Sequence, residues 1–176
     1  MPLTRSTLER TAATESYALL RSGRRGYQVR GDRGLAPLMR VELDPLYRRA
    51  RFPGYRVRRR SLASSDLWLV HEEDGPVAVA LKESWPLGLR YRVEWTGGEL
   101  VLVGSRTTYL WELFDQEDEV VGDLRTEPFT DGERRLSLPA DVPHEVACFL
   151  VALTEIVLHN PVLRLLDRAT RPQHWS

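Results

Sequence analysis

A cluster of arginines with aromatic residues among them is the part of the sequence best suited to bind a ligand. It contains Arg48, Arg49, Arg51, Arg56, Arg58, Arg59 and Arg60 beside the aromatic residues Tyr47, Phe52 and Tyr55, and all of these arginines except Arg59 are the candidate ligand-binding residues. Guanidinium groups bind phosphate through paired hydrogen bonds, and aromatic rings beside them can stack on a ligand or enter a lipid interface. The cluster therefore predicts an anion site, with anionic lipid headgroups or an acidic protein as the partner.

The spacing within this cluster suggests a β-strand that presents a row of arginines. Alternate side chains of a strand share one face, so Arg56, Arg58 and Arg60 would lie about 6.5–7 Å apart. Such a row could follow the phosphates of headgroups or of a nucleic acid. The alternative is an exterior sheet face whose arginines pair with Glu72, Glu73 or the acidic segment 115–119.

The charge is unevenly distributed along the chain, although the net charge is zero. Residues 1–60 contain fifteen arginines and five acidic residues, whereas residues 61–176 contain ten basic and twenty acidic residues. This asymmetry indicates either a basic surface open to anions or two parts that pair with each other. The balanced total and the acidic second part count against nucleic-acid binding, which would weaken steeply with salt.

Groups that could support catalysis or hold a metal do not form a known arrangement. The sequence contains no G-x-S-x-G, P-loop, dinucleotide-binding, HExxH or paired-cysteine motif. Its four histidines have no ligand spacing, and its acidic turns lack the pattern of a calcium loop. We therefore expect no metal and no cofactor, and we interpret the chain as a binding module in preference to an enzyme. A barrel-cavity enzyme or carrier, and a structural or interaction domain without a ligand, remain alternatives.

Short strands separated by turns dominate the chain from Tyr17 to Leu138, which predicts an antiparallel β-meander. The clearest alternation lies in Leu89–Trp95. One face of this strand carries Tyr91, Val93 and Trp95, and the other face carries Arg90, Arg92 and Glu94. Hairpins are predicted around residues 72–75, 96–98 and 116–119, where glycine or acidic residues interrupt the apolar pattern. The strand at Leu38–Leu43 is less sharply patterned, and the segment that follows, Pro45 to Gly54, is irregular with a turn at Pro53-Gly54.

One helix, at about residues 143–159, is predicted to be buried on every side. Its apolar residues point in all directions, and a helix of this kind must be surrounded by protein. Asp141 is the expected N-cap, and Asn160-Pro161 the expected stop. Thr154 and Glu155 interrupt the apolar run, so we expect no membrane span. In a β-rich chain, a curved sheet or barrel can enclose such a helix.

Length and cysteine content complete the expected organisation. The 176 residues predict one domain at 17–168, with a polar lead-in at 1–16 and a tail at 169–176. Cys148 is the only cysteine and lies inside the helix, so it predicts a packed, inert thiol and no disulfide. A reducing, cytoplasmic location fits this pattern, and headgroup binding would place the protein peripherally at a membrane.

The segments YLWELFDQEDEVVGDLR and RRLSLPADVPHEVACFLVALTEIVL carry a resemblance to a known superfamily. A strand, an acidic turn and a Val-Val-Gly strand, followed later by a last strand that leads into an apolar helix, resemble the tubby C-terminal superfamily. That group includes the LURP-one-related proteins and the phospholipid scramblases. The resemblance is firm over about residues 109–160 and extends loosely back to Tyr17.

The resemblance implies a twelve-stranded barrel around a central helix, which presents a binding surface and has no catalytic cleft. Residues 38–54 would have to supply the strands that the hairpin pattern lacks. Tubby domains are associated with phosphoinositide headgroups held by basic residues of the barrel wall. No short family motif transfers those binding positions to numbered residues here.

Overall fold

A computed structural model describes residues 13–31, 39–61, 64–83, 88–105, 110–126, 133–161 and 163 of the chain. Within these residues lie twelve strands and one helix. The strands are β1 (Thr14–Arg21), β2 (Gly26–Gly31), β3 (Met39–Leu43), β4 (Ala50–Phe52), β5 (Tyr55–Arg59), β6 (Leu67–His71), β7 (Gly75–Glu83), β8 (Leu89–Trp95), β9 (Gly98–Gly104), β10 (Trp111–Phe114), β11 (Val120–Thr126) and β12 (Arg134–Pro139), and the helix is α1 (His144–His159).

The strands form a closed antiparallel barrel in which each strand pairs with its neighbours in the sequence. The first and last strands close it: Thr14 of β1 lies opposite Pro139 of β12, and Tyr17 lies opposite Leu136. Closure leaves no sheet edge exposed, which removes the unpaired backbone groups that promote aggregation. The predicted fold class, a mainly-β meander that closes into a barrel around a buried C-terminal helix, is confirmed.

Helix α1 fills the barrel and is buried on all sides, as its sequence predicts. Every residue from Val146 to Leu158 is buried, and Leu150 is completely inaccessible to solvent. The strands contribute the facing layer, because their inward positions are apolar: Tyr91 and Val93 of β8 are buried while Arg92 between them is half-buried. The alternation of apolar and charged residues in β8 thus separates the interior from the outer wall.

The start of the helix differs from the prediction. Helix α1 begins at His144, and the N-cap position is occupied by Pro143, which has no side chain that could cap the helix. Asp141 lies in the turn before it and is exposed. The prediction of Asp141 as N-cap was therefore wrong, because proline's restricted φ already sets the helix start two residues later. At the other end Asn160 is the C-cap, as predicted.

Strand boundaries also differ from the prediction at several positions. Strand β1 begins at Thr14, inside the predicted lead-in, because residues 14–16 pair with β12. Strands β3 and β4 come from the weakly patterned segment 38–54, which supplies the two strands that the hairpin pattern lacks. Residues 1–12 and the predicted tail 169–176 lie outside the described residues.

Candidate anion-binding site

All six predicted arginines lie on the outside of the barrel and are exposed. Arg48 and Arg49 lie in the turn between β3 and β4, and Arg51 lies on β4. Arg56 and Arg58 share the exposed face of β5, and Arg60 follows that strand. Arg51 and Arg56 are direct cross-strand neighbours, so the structure brings these two positions together on one wall.

Several of these arginines are paired with carboxylates of the same chain. Arg56 Nε lies 3.0 Å from Glu72 Oε1, which is one of the pairs that the alternative hypothesis named. Arg51 Nε lies 3.6 Å from Glu42 Oε2, and Arg48 Nε lies 3.7 Å from Asp44 Oδ2. Exposed pairs of this kind contribute about 0–1 kcal/mol each, so an anion could still displace them. The positive charge of these outer arginines is therefore partly neutralised, but they remain accessible to an anion.

Two members of the row have no such carboxylate. Among the residues that the structure describes, Arg58 makes no ion pair, and the guanidinium of Arg60 lies 5.9 Å from the ring centroid of Trp68. A cation over an indole face is attracted by the ring quadrupole, which holds Arg60 against the wall. Only part of the predicted row thus offers an unengaged guanidinium.

A second basic region, which the sequence analysis did not identify, forms a pocket at one end of the barrel. Its volume is about 340 Å³, and it lies where the turn between β1 and β2 and the end of α1 meet. The residues that line it include Arg21, Arg24, Arg25, Tyr27, Tyr47, Arg134, Glu155 and His159. The described residues of the pocket therefore combine four guanidinium groups, two phenols, one imidazole and one carboxylate.

The floor of the pocket is a buried polar network centred on Glu155. This residue is 2 % exposed and projects from the last turns of α1. Its Oε2 accepts a hydrogen bond of 3.1 Å from the hydroxyl of Tyr27, and its Oε1 accepts one from Nη1 of Arg134. A buried carboxylate is tolerated only when such partners compensate for its lost hydration. The carboxylate of Glu155 is therefore fully engaged by the protein.

The same network perturbs Tyr27. Burial, followed by the negative charge of Glu155, raises the pKa of the Tyr27 phenol from 10.0 to about 12. The guanidinium of Arg134 lies 5.8 Å from the centroid of the Tyr27 ring, which packs the cation against the aromatic face. Tyr27 is consequently a neutral hydrogen-bond donor over the physiological pH range.

The turn from Ser22 to Arg25 supplies the rim arginines. Gly23 adopts φ +73°, a conformation that glycine reaches without a steric penalty, and Ser22 N donates to the carbonyl of Gly26 over 2.8 Å. Arg24 and Arg25 are exposed and make no ion pair with any residue in the described part of the chain. The rim therefore carries two unengaged positive charges.

Tyr47 forms the opposite wall in a constrained backbone conformation. Its φ is +52°, which is uncommon for a bulky residue, and its carbonyl accepts a hydrogen bond of 2.9 Å from Asn160 Nδ2. Its ring centroid lies 4.9 Å from that of His159, with 45° between the planes. The side chain of Asn160 is buried, so the end of the helix fixes this aromatic wall.

The balance of charge makes the pocket suited to anions. Among the described residues that line the pocket, four arginines face one carboxylate, and that carboxylate is already bound by Arg134 and Tyr27. The C-terminal end of α1 adds a partial negative charge. The positive charge of the arginines exceeds it. Phosphate groups match guanidinium geometry and could also accept from a phenol. The described residues contain no group of three or more His, Cys, Asp or Glu side chains that could hold a metal ion.

The sequence alone did not reveal this pocket, because the residues that line the pocket come from distant parts of the chain. One signal was available: Glu155 is a carboxylate within a helix apolar on all sides, and such a residue requires a buried basic partner. That reasoning predicts an arginine near Glu155 but does not say which one. The second missed group, Arg21, Arg24 and Arg25, belongs to the basic first part of the chain but lies outside the predicted cluster.

The remaining sequence predictions concern Cys148 and the membrane. Cys148 is buried, and burial raises the pKa of its thiol from 9.0 to about 12, which agrees with the predicted inert thiol. Among the described residues, no helix is both long and apolar enough to cross a membrane.

In comparisons with known proteins, the chain matches no protein-family model, no curated protein and no solved structure.

Proposed function

We propose that the chain is a non-enzymatic binding module of tubby-like architecture, which recognises phosphate-type anions through the pocket at the end of the barrel. The ligand is either a free phosphorylated molecule or the headgroup of an anionic lipid. In the latter case the protein acts in the cytoplasm, peripherally at a membrane surface. The observation that carries this proposal is the excess of guanidinium groups among the described residues of the pocket, whose one carboxylate is already engaged.

The geometry favours the pocket over the predicted outer row as the primary site. A pocket removes water from the bound anion, and electrostatic attraction is stronger where solvent is excluded. Arg24 and Arg25 make no ion pair with described residues at its rim, whereas Arg51 and Arg56 on the outer wall are paired with Glu42 and Glu72. The outer arginines would then contribute long-range attraction, and the pocket would contribute selectivity.

The proposal is tested by titration calorimetry with three probes across a salt series: inorganic phosphate, a soluble inositol trisphosphate, and a short single-stranded oligonucleotide. Co-sedimentation with neutral vesicles, and with vesicles that contain phosphoinositide, distinguishes a lipid headgroup from a free phosphate. We expect saturable binding of the phosphorylated probes at low salt. Binding of the oligonucleotide alone would replace the proposal by nucleic-acid recognition, and no binding of any probe at low salt would refute it.

Matched variants locate the site. Arg24→Ser with Arg25→Ser removes two charges from the pocket rim. This double variant should raise the dissociation constant at least tenfold, and each tenfold change corresponds to about 1.4 kcal/mol of binding free energy. Arg30→Ser with Arg125→Ser removes two exposed charges of β2 and β11 that do not line the pocket, and serves as the control. The triple variant Arg56→Ser, Arg58→Ser, Arg60→Ser tests the outer row. If the triple variant loses binding and the rim variant does not, the outer row is the site.

A further inference from the structure

The outer wall formed by β6 and β7 is apolar where a solvated wall would be polar. Strand β7 reads Val77-Ala78-Val79-Ala80-Leu81, five apolar residues in succession. Ala78 and Ala80 are buried and face the helix, whereas Val79 and Leu81 lie on the other face and are half-buried. A strand apolar on both faces is typical of one that is covered on both sides.

Strand β6 extends this apolar wall. Leu67 and Leu69 are buried, so Trp68 and Val70 point outward and are half-buried. Trp68 lies directly opposite Val79 in the β6–β7 pairing. Trp68 and Val79, together with Val77, Leu81 and Trp95, line a shallow groove of about 500 Å³ on the outside of the barrel. Contiguous exposed apolar surface of this kind marks a site of association.

The borders of the groove carry opposite charges. Arg60 lies on one border, with its guanidinium 5.9 Å from the centroid of the Trp68 ring, and Glu94 lies on the other, where its Oε1 is 3.3 Å from Arg92 Nε in an exposed pair that a partner arginine could share. The strand pairings show an ordered row across the wall: Arg58 is opposite Trp68, Trp68 is opposite Val79, and Val79 is opposite Glu94. From β5 to β8, this row of four residues therefore runs from a positive side chain through two apolar side chains to a negative one.

Such a row is complementary to itself. A two-fold axis parallel to the strands, between β6 and β7, reverses the order of the row in a second copy. Arg58 of each copy then faces Glu94 of the other, and the apolar residues Trp68 and Val79 face each other at the centre. Neighbouring strands are about 4.8 Å apart, so the row spans about 14 Å and matches its copy without a shift. Isologous contacts of this type are the commonest in symmetric dimers.

We infer that the β6–β7 wall is the interface of a two-fold symmetric homodimer. The occupant of the groove is a second copy of this chain, selected by the self-complementary row. Arg58 has no ion pair within the described residues of its own chain, so the dimer supplies its carboxylate. Two convex walls touch over a narrow strip, so we expect a weak dimer with a dissociation constant of about 1–100 µM. This inference is independent of the anion pocket.

Sedimentation equilibrium of the full chain over about 1–300 µM tests the inference, since this range brackets the expected dissociation constant. The average mass should rise with concentration from 20.2 kDa toward twice that value. A mass that stays at 20.2 kDa throughout would overturn the inference. So would a mass that rises beyond the dimer, because a two-fold contact closes after two copies.

Charge exchange across the interface is the decisive variant set. Arg58→Glu and Glu94→Arg each place like charges opposite one another and should each raise the dissociation constant at least tenfold. The double variant restores the opposite charges in both pairs and should recover most of the lost affinity. A double variant as weak as the single variants would refute the predicted pairing.

Val79→Arg tests the apolar centre and should also abolish association. Val120→Arg is its control, because Val120 is 58 % exposed and lies on another strand. Circular dichroism and a cooperative thermal transition establish that each variant is folded, and the charge exchange does not depend on Val79→Arg folding. If Val120→Arg weakens the dimer as much as Val79→Arg does, the β6–β7 wall is not the interface.

Discussion

The hydroxyl of Tyr27 donates a hydrogen bond of 3.1 Å to Glu155, a residue 128 positions later in the chain. This bond joins β2 to the last turns of α1, and Arg134 links β12 to the same carboxylate. The polar network thus ties the helix to both sides of the barrel closure. It also forms the floor of the proposed anion pocket, so the stability of the barrel and the shape of the site depend on the same residues.

Removing one partner of the buried ion pair should destabilise the protein more than removing both. Glu155→Leu leaves the 12 %-exposed guanidinium of Arg134 without its main carboxylate, and we expect a loss of about 3–5 kcal/mol in the free energy of unfolding. Arg134→Leu should have a similar effect, because it leaves the carboxylate buried without its cation. The double variant leaves no unpaired buried charge and should lose less than either single variant. Urea unfolding of the four proteins measures the three losses, and a double variant less stable than either single variant would contradict the prediction.

Truncation in the middle of α1 should reduce stability strongly, because the helix is the core of the barrel. Leu150 is fully buried, so Leu150→Ala should lower the free energy of unfolding by about 2–5 kcal/mol. Leu150→Asp should prevent folding, because it buries an unpaired charge. Chemical denaturation and circular dichroism measure both effects. A soluble Leu150→Asp variant that melts cooperatively would contradict the central role of the helix.

Stability should fall in alkaline solution as pH rises from 10 to 12. Burial raises the pKa of Tyr27 from 10.0 to about 12 in the folded protein, so the unfolded chain loses its phenolic proton first. This contribution is fully present below pH 10.0 and is lost as pH rises to about 12. Tyr17 and Cys148, whose pKa values burial also raises, act in the same direction.

The comparison of Tyr27→Phe with the unchanged protein isolates the phenol. The variant should be less stable at neutral pH because Glu155 loses a donor, but its stability should decline less steeply between pH 10 and 12. The midpoint of urea unfolding, measured at several pH values, gives both quantities. An equal slope in the two proteins would show that Tyr27 keeps its proton equally well in both states.

Two glycines that contact tryptophan rings should differ in their tolerance of alanine. A Cβ at Gly104 would lie 2.3 Å from the ring of Trp111, which is 1 % exposed and cannot move. A Cβ at Gly98 would lie 2.4 Å from the ring of Trp95, which is half-buried and has room to shift. We expect a loss of about 1–3 kcal/mol for Gly104→Ala and a smaller one for Gly98→Ala. Thermal unfolding compares them, and equal losses would contradict the assumed mobility of Trp95.

Local patterns in the sequence were sufficient to predict the class of fold. The alternation in β8 predicts a strand with one buried face, and the strand is observed at the predicted residues. The uniformly apolar segment at about 143–159 predicts a helix enclosed by protein, and the barrel encloses it. Both predictions succeed because period and polarity depend on residues that are neighbours in the chain. Residues 44–54 lack such a period, and β4 within them is only three residues long, so its pairing with β3 and β5 defines it.

The sequence by itself determined the antiparallel strands, the buried helix and the basic character of the first sixty residues. Only the tertiary structure decided which charges meet. Closure of β1 on β12 brings Arg21 and Arg134 to the end of α1, where they join Glu155 around one pocket. Arg56, a predicted anion-binding residue, lies beside Glu72 because β5 pairs with β6. Composition shows that opposite charges exist, but their distances depend on the register of strands far apart in the chain.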